Sequence, residues 1–224
     1  MPTLFQDVHG TSMMHAIRAC EAALHALPDD VWRDPDRFAS GCENWKVSDV
    51  VAHLIDQANH TTLAIEHALQ GHAAPPLGFR PLTPDQSDQQ LIGLRTAFGE
   101  DLFPEFNASC LRLNRLLVGL QLEQHKLDAW HPSGVHNVAR LIEYRALELA
   151  VHGWDAQSAF QRDAPLSLSA IPFLVGRLER WLRAAFRDED VPASPVRLGF
   201  DLDTSQSYDL TMANGDFTLE PSVN

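Results

Sequence analysis

A mainly helical bundle followed by a short β segment is the fold class that the sequence predicts. Three observations carry it. Between residues 4 and 186, apolar residues recur at helical spacing over long stretches. Proline- and glycine-rich punctuation divides those stretches into helices of bundle length. After Pro192 the texture turns to alternating runs, with Asn214-Gly215 between two of them, a strong short-range hairpin signal. The expected division is a helical bundle over 1–190 and a strand appendage over 191–224.

The first helix is predicted over 4–27, where Leu4, Val8, Met13, Met14, Ile17, Ala22, Leu24 and Leu27 make an irregular apolar face. Pro28-Asp29-Asp30 ends it, and a loop through Trp32, Pro35 and Phe38 leads to Gly41-Cys42-Glu43-Asn44-Trp45. The second helix runs from Lys46 to Gln70, with Ser48 or Asn44 as its cap. Val47, Val50, Val51, Leu54, Ile55, Ala58, Thr62, Ile65 and Leu69 form its stripe, and Gly71 stops it. Residues 71–86, with Pro75, Pro76, Pro81 and Pro84, read as a surface connection. Helical pattern returns over 88–123, with Pro104 as the expected break into two pieces. Residues 127–136 read as a loop closed by Pro132-Ser133-Gly134. A long helix is predicted over 135–160 and a last one over 168–186, with Pro172 in its first turn. Strands are expected near 196–200, 208–212 and 217–219.

Length and composition narrow the function. The chain has 224 residues, 45% of them apolar, which is ample for a packed core. Thirty acidic against seventeen basic side chains give a net charge of −13. That balance argues against nucleic acid and against anionic lipid surfaces, both of which demand basic patches. No apolar run is long enough for a membrane span, and MPTLFQDVHG does not read as a signal peptide. Cys20, Cys42 and Cys110 are an odd, widely spaced set without a C-x-x-C. A reduced, cytoplasmic protein acting on small molecules is the expectation, as a monomer or a dimer.

The long helix carries the chemistry. At 100° per residue, Arg145, Glu148, His152 and Asp155 share one face with Leu141, Tyr144 and Val151. That face, with the large apolar residues, is expected to look inward. The opposite one carries Glu143, Ala146, Ala150, Gly153 and Gln157. Charges on an inward face need partners, because burying them alone costs several kcal/mol. Two readings stand level on geometry: an internal ion-pair cluster, or a metal platform built on Glu148 and His152 four residues apart. On the second helix His53 lies about 60° from the edge of the apolar stripe, on a polar side shared with Asp49, Asp56, Gln57 and His60, where it is either solvated or the third ligand. His60 and His67 read as solvated. His131 and His136 flank a loop within reach of a site, and Arg80, Arg183 and Arg187 either sit in solvent or face an anion.

The stretch Gly41-Cys42-Glu43-Asn44-Trp45-Lys46-Val47-Ser48-Asp49-Val50-Val51-Ala52-His53-Leu54 resembles the G-W-x-v-x-d-v-v-x-H-L signature of the mycothiol-dependent maleylpyruvate isomerase family. That family belongs to the DinB-like metal-binding four-helix bundles. Arg145-Ala-Leu-Glu148-Leu-Ala-Val-His152-Gly153-Trp154-Asp155 resembles its second signature, R-x-x-E-x-x-V-H-G-W-D. The resemblance covers about residues 10–190 and implies metal ligands at His53, Glu148 and His152. It implies packing roles for Trp45 and Trp154. Arg145 and Asp155 match recurrent positions and are expected to be structural or to orient the ligands, with Asp49, Asp56 and His60 around the pocket. Longer members carry a C-terminal α/β domain, for which the residues after Pro192 are too few, so the substrate is expected to differ from the namesake's.

The implied chemistry is metal activation of a low-molecular-weight thiol, mycothiol. The thiol would be transferred to an electrophile or would drive cis–trans isomerisation of an unsaturated acid. Two nitrogens and one oxygen with an open position suit zinc, and nickel or iron accept the same donors. A hydrolase or lyase using metal-bound water or Lewis-acid activation is the alternative, and a non-catalytic metal or small-ligand binding bundle is another.

Overall fold

The computed structural model describes residues 8–34, 37–76, 79–187, 194–201 and 207–222. The expected start of the first helix at Leu4, Pro35 and the Val191-Pro192 boundary lie outside them. The chain divides into two compact units, Met1–Phe173 and Leu174–Asn224.

The first unit is built on four long helices: α1 (Val8–His25), α3 (Val47–Leu69), α5 (Leu102–Gly119) and α6 (Val138–Ser158). Between them lie the short α2 (Asp29–Arg33), α4 (Pro84–Phe98), and a hairpin of β1 (Asp128–His131) and β2 (Gly134–Asn137). Helix α6 packs against α1 and α3, and α3 against α5 and α4. Asn114 donates to Glu21 at 2.8 Å, and the His25 ring meets Phe103 and Phe106, which closes the side between α1 and α5. The core is Met14, Ile17 and Leu24 of α1, Leu54, Ile55 and Ile65 of α3, and Phe106, Leu113 and Leu117 of α5.

Helix α3 buries its predicted stripe from Val47 to Ile65, while Leu69 at the end stays exposed. Its cap is neither Ser48 nor Asn44. The Lys46 backbone N–H donates to Asp49 Oδ2 at 2.8 Å, and Asn44 sits at φ 66 in the preceding turn. The helical stretch 88–123 breaks at Gly99, whose φ of 49 suits glycine, and not at Pro104. Pro104 lies in the first turn of α5, where a missing N–H leaves no bond unmade. Helix α4 starts earlier than expected because Thr83 Oγ1 accepts from the Gln86 N–H and Gln86 Oε1 from the Thr83 N–H.

Helix α6 departs from the one-sided expectation. Ala146, Ala150 and Gly153 are as buried as Leu141 and Ile142. A Cβ on Gly153 would stand 3.9 Å from Leu24 of α1, so this small-residue side packs against that helix. Side-chain size, not polarity, separates the two faces. The expected loop at 127–136 is instead the β1–β2 hairpin, paired from Asp128 with Asn137 to His131 with Gly134. Gly134 at φ 119 turns the chain there.

The expected last helix is two pieces, α7 (Ile171–Val175) at the division between the units and α8 (Leu178–Ala185) in the second. Three strands follow: β3 (Val196–Asp201), β4 (Ser207–Ala213) and β5 (Asp216–Pro221), an antiparallel meander in that order. Asn214 and Gly215, both at positive φ, make the β4–β5 turn. Leu210 and Phe217 are buried, and Phe186 packs on the Phe217 ring. Among the described residues no helix is long and apolar enough to cross a membrane.

Candidate metal centre

Helices α3 and α6 bring three side chains together from positions 95 residues apart. His53 Nε2 lies 3.0 Å from Glu148 Oε2, and His152 Nε2 lies 3.4 Å from the same oxygen. One ligand atom from each of the three falls within 4.8 Å of the other two. The His152 ring is held from behind, because Nδ1 lies 2.9 Å from Asp155 Oδ2. The Asp155 carboxylate accepts the Nδ1 proton, so Nε2 is the atom that faces Glu148 and His53 and that would offer its lone pair to a metal ion on losing its proton. Trp45 stacks on the His152 ring at 5.6 Å and meets His53 at 5.3 Å. Its position follows from a tight approach of the loop to α6. The Gly41 N–H donates to the Asp155 carbonyl at 2.9 Å. A Cβ on Gly41 would stand 2.6 Å from Ser158 Oγ and 3.2 Å from Asp155 Cα, so only glycine fits without a shift.

The three groups tune one another. Burial would raise the Glu148 pKa, but hydrogen bonds and charge from His152 and His53 hold it well below the usual carboxylate range. Burial would lower the His152 pKa, and Glu148 together with Asp155 raises it instead. The set is one anionic oxygen and two imidazole nitrogens, converging with no fourth metal-ligating side chain among the described residues. That is the donor set of an open, three-ligand divalent metal site, and the residues fit such an ion.

His53 and Glu148 form part of the wall of a cavity of about 640 Å³. Opposite walls come from Phe79, Arg80 and Leu82 in the long connection, from Leu91 and Leu94 of α4, and from Trp130 and His131 of the hairpin. Phe79 and Trp130 meet edge to face at 4.5 Å. Much of this aromatic wall sits in segments without helical periodicity. A tryptophan beside a proline-closed turn was the only sequence signal for Trp130.

The family model of the mycothiol maleylpyruvate isomerase N-terminal domain matches residues 13–157, which include both signature stretches and the three clustered side chains. The chain belongs to this family. Among solved structures, a mycothiol-dependent maleylpyruvate isomerase is similar at a TM-score of 0.61 with 15% identity, over 84% of this chain and 76% of that one. A histidine-to-alanine mutant of a mycothiol-dependent maleylpyruvate isomerase is similar at 0.61 and 15%, over 82% and 75%. At that identity the likeness is one of fold. No curated protein matches the chain by sequence.

In this family member the other expected site residues fall into two groups. Asp56 and His60 line the cavity, paired with each other at 3.3 Å. Asp155 backs His152, as above. The polar partners of Arg145 lie outside the three clustered side chains. Arg145 is fully buried and donates to the Leu54 carbonyl and Gln57 Oε1, both at 2.9 Å, and to Cys110 Sγ at 3.3 Å. Glu21 lies 3.8 Å from it, so this guanidinium joins α1, α3, α5 and α6. Asp49 is buried at the head of α3, where it caps the helix and pairs with Arg95 of α4 at 3.0 Å. Trp154 donates from Nε1 to the Ala164 carbonyl at 2.7 Å, anchoring the chain beyond α6. Arg183 of the second unit is engaged there by Glu179 and Asp216 and lies over the Phe217 ring.

Proposed function

We propose that this chain is a metal-dependent enzyme that activates mycothiol at His53, Glu148 and His152. The thiol either transfers to an electrophile or drives cis–trans isomerisation of an unsaturated acid. The observation that carries the reading is a three-donor cluster, two members of which, His53 and Glu148, line a cavity large enough for a thiol and a second small molecule. Family membership supports it.

A bound divalent ion, zinc by the donor set, favours the thiolate form of a thiol held next to it. The chain's residues do the rest. Asp155 keeps the Nδ1 proton of His152, so the ring presents Nε2 and cannot flip without losing that bond. Trp45 packs against both imidazoles and fixes their planes. Phe79, Trp130 and Leu141 give the cavity apolar walls that exclude water from a reactive sulfur. In isomerisation, the sulfur bonds to one carbon of the activated double bond and the π pair moves onto the conjugated carbonyl. The single bond rotates, and elimination returns the thiolate and a trans double bond. In transfer, the carbon–sulfur bond persists.

The chain's own cysteines do not compete for this role. Cys20 and Cys110 are buried and Cys42 is half-buried, and none joins the cluster. Burial pushes all three thiols up, Cys110 to about 12, so each stays protonated at neutral pH. The sulfur nucleophile therefore comes from a cosubstrate.

The test is mycothiol consumption by the purified protein with a bimane alkyl halide as electrophile. Expected is a rate above background that a chelator and His53→Ala each abolish. A rate indifferent to both, or no rate after reconstitution with zinc, nickel or iron, contradicts the reading.

A further inference from the structure

The β1–β2 turn carries a second set of titratable groups beside the metal cluster. His131 Nδ1 accepts from the Ser133 backbone N–H at 3.1 Å. A backbone N–H only donates, so Nδ1 of His131 carries no proton. The Ser133 hydroxyl lies 2.8 Å from that nitrogen and 2.9 Å from His136 Nε2. Both contacts are satisfied when the hydroxyl donates to His131 and accepts from His136. Tyr144 of α6 packs on both rings, at 4.9 and 5.5 Å, and holds the pair against the bundle. The neutral His131 ring then has its N–H at Nε2, which has no hydrogen-bond partner among the described residues. The ring lines the same cavity as His53 and Glu148.

We propose that His131 is a catalytic residue of the unsaturated-carbonyl reaction, its Nε2–H donating to the carbonyl oxygen on which charge develops as sulfur adds. This rests on the thiol reading above. The step balances without a further reagent. A carbon–sulfur bond forms, the π pair of the double bond shifts to the carbonyl oxygen, and His131 stabilises that oxygen by hydrogen bonding without surrendering its proton. Elimination reverses each movement after rotation. If instead water gives a proton to the α-carbon, the carbonyl re-forms, hydroxide is released and the saturated thioether remains as the product.

The surroundings suit a neutral donor. Burial, His136 and His60 lower the His131 pKa against the opposing pull of Glu148, so the imidazole remains uncharged at neutral pH. An uncharged N–H polarises an oxygen without pairing off Glu148. A preorganised donor aimed at developing charge, in a site shielded from water, is worth about 10²–10³ in rate.

Two electrophiles separate this inference from the reading it rests on. Benzalacetone is an α,β-unsaturated ketone whose attack by mycothiol puts charge on oxygen. A bimane alkyl halide is attacked by displacement and develops none there. His131→Phe is expected to lower kcat with benzalacetone by about 10²-fold with little change in KM, while bimane alkylation stays within about twofold. His131→Gln, which restores an amide N–H at similar reach, is expected to recover most of the loss. Equal losses with both electrophiles, no loss with either, or wild-type activity toward the halide alone overturn the role of His131 and leave thiol activation standing. No thiol consumption with either by the metal-loaded wild type overturns both. A readout independent of turnover is the nitrogen spectrum of the histidines at neutral pH. The resonance pair lost in His131→Gln is expected to show a bare Nδ1 and a protonated Nε2, and the opposite tautomer overturns the inference.

Discussion

Helix α6 carries two charged sites one turn apart, and they are finished in opposite ways. Arg145 is 0% exposed, and its guanidinium is met by a carbonyl, an amide oxygen, a thiol and a carboxylate from the three neighbouring helices. Glu148 sits beside a large cavity with His53, its Oε2 approached by one nitrogen each of His53 and His152, and among the described residues no fourth metal-ligating side chain joins the three. A charge that the protein satisfies itself is structure. A converging set left open toward a cavity is a candidate binding site. Charged residues on an apolar helix face therefore do not mark function by themselves. Enclosure separates the two cases: Arg145 is buried among groups of three helices, with its Nε alone of the guanidinium nitrogens lacking a hydrogen-bond partner, whereas Glu148 faces the cavity.

That contrast can be broken or sharpened by substitution. The largest effect is expected at Arg145. Arg145→Ala leaves Glu21 buried without its charge partner and is expected to cost about 3–5 kcal/mol in chemical denaturation. Glu148→Ala, at a site open to solvent, is expected to cost under about 1 kcal/mol in the same metal-free measurement. A reversed order would break the contrast. Next comes Asp155→Ala, which frees the His152 ring and is expected to weaken metal binding about 10–100-fold in calorimetric titration, with the fold intact. Gly41→Ala forces a Cβ against Ser158 and the α6 backbone and is expected to destabilise by about 1–3 kcal/mol. It displaces Trp45 as well, which near-ultraviolet circular dichroism reads directly.

The smallest effect expected is in pH dependence of the metal-free protein. The Glu148 pKa is depressed from 4.5, so its pairing with the histidines stabilises the fold above that value and is lost as pH falls through the lower folded value. The His152 pKa is raised from 6.5, so the same pairing is lost as pH rises through the higher folded value. The Glu148 side chain is 37% exposed, so solvent screens the interaction and the whole effect stays under about 1 kcal/mol. Glu148→Gln should flatten it, as followed by denaturation midpoints across pH.

How far the sequence reached depends on which signal each part carries. Helices α3 and α6 were legible because a stripe of branched apolar residues at helical spacing is what a buried helix requires. The four-residue spacing of Glu148 and His152 placed them on one face, where the structure has them. Helical geometry alone could not choose between His53 and His60, which sit two turns apart on α3; the motif around Trp45 did. Arg145 and Asp49 read from sequence as site residues because periodicity shows which face a charge lies on but not which neighbour meets it. The small-residue side of α6 was missed because Ala146, Ala150 and Gly153 carry little hydrophobic signal yet allow α1 to approach. His131 was placed on a loop within reach of a site, but Trp130 and the strand pairing of 128–137 were missed because a strand of four residues is too short for alternation to show.

The most direct test of the metal centre is the metal content of the purified, reconstituted protein, measured by mass spectrometry beside His53→Ala and Glu148→Ala. Expected is about one divalent ion per wild-type chain, lost in both variants while far-ultraviolet circular dichroism is unchanged. Wild-type protein without stoichiometric metal, or folded variants that retain it, would contradict the assignment of His53, Glu148 and His152 as its ligands.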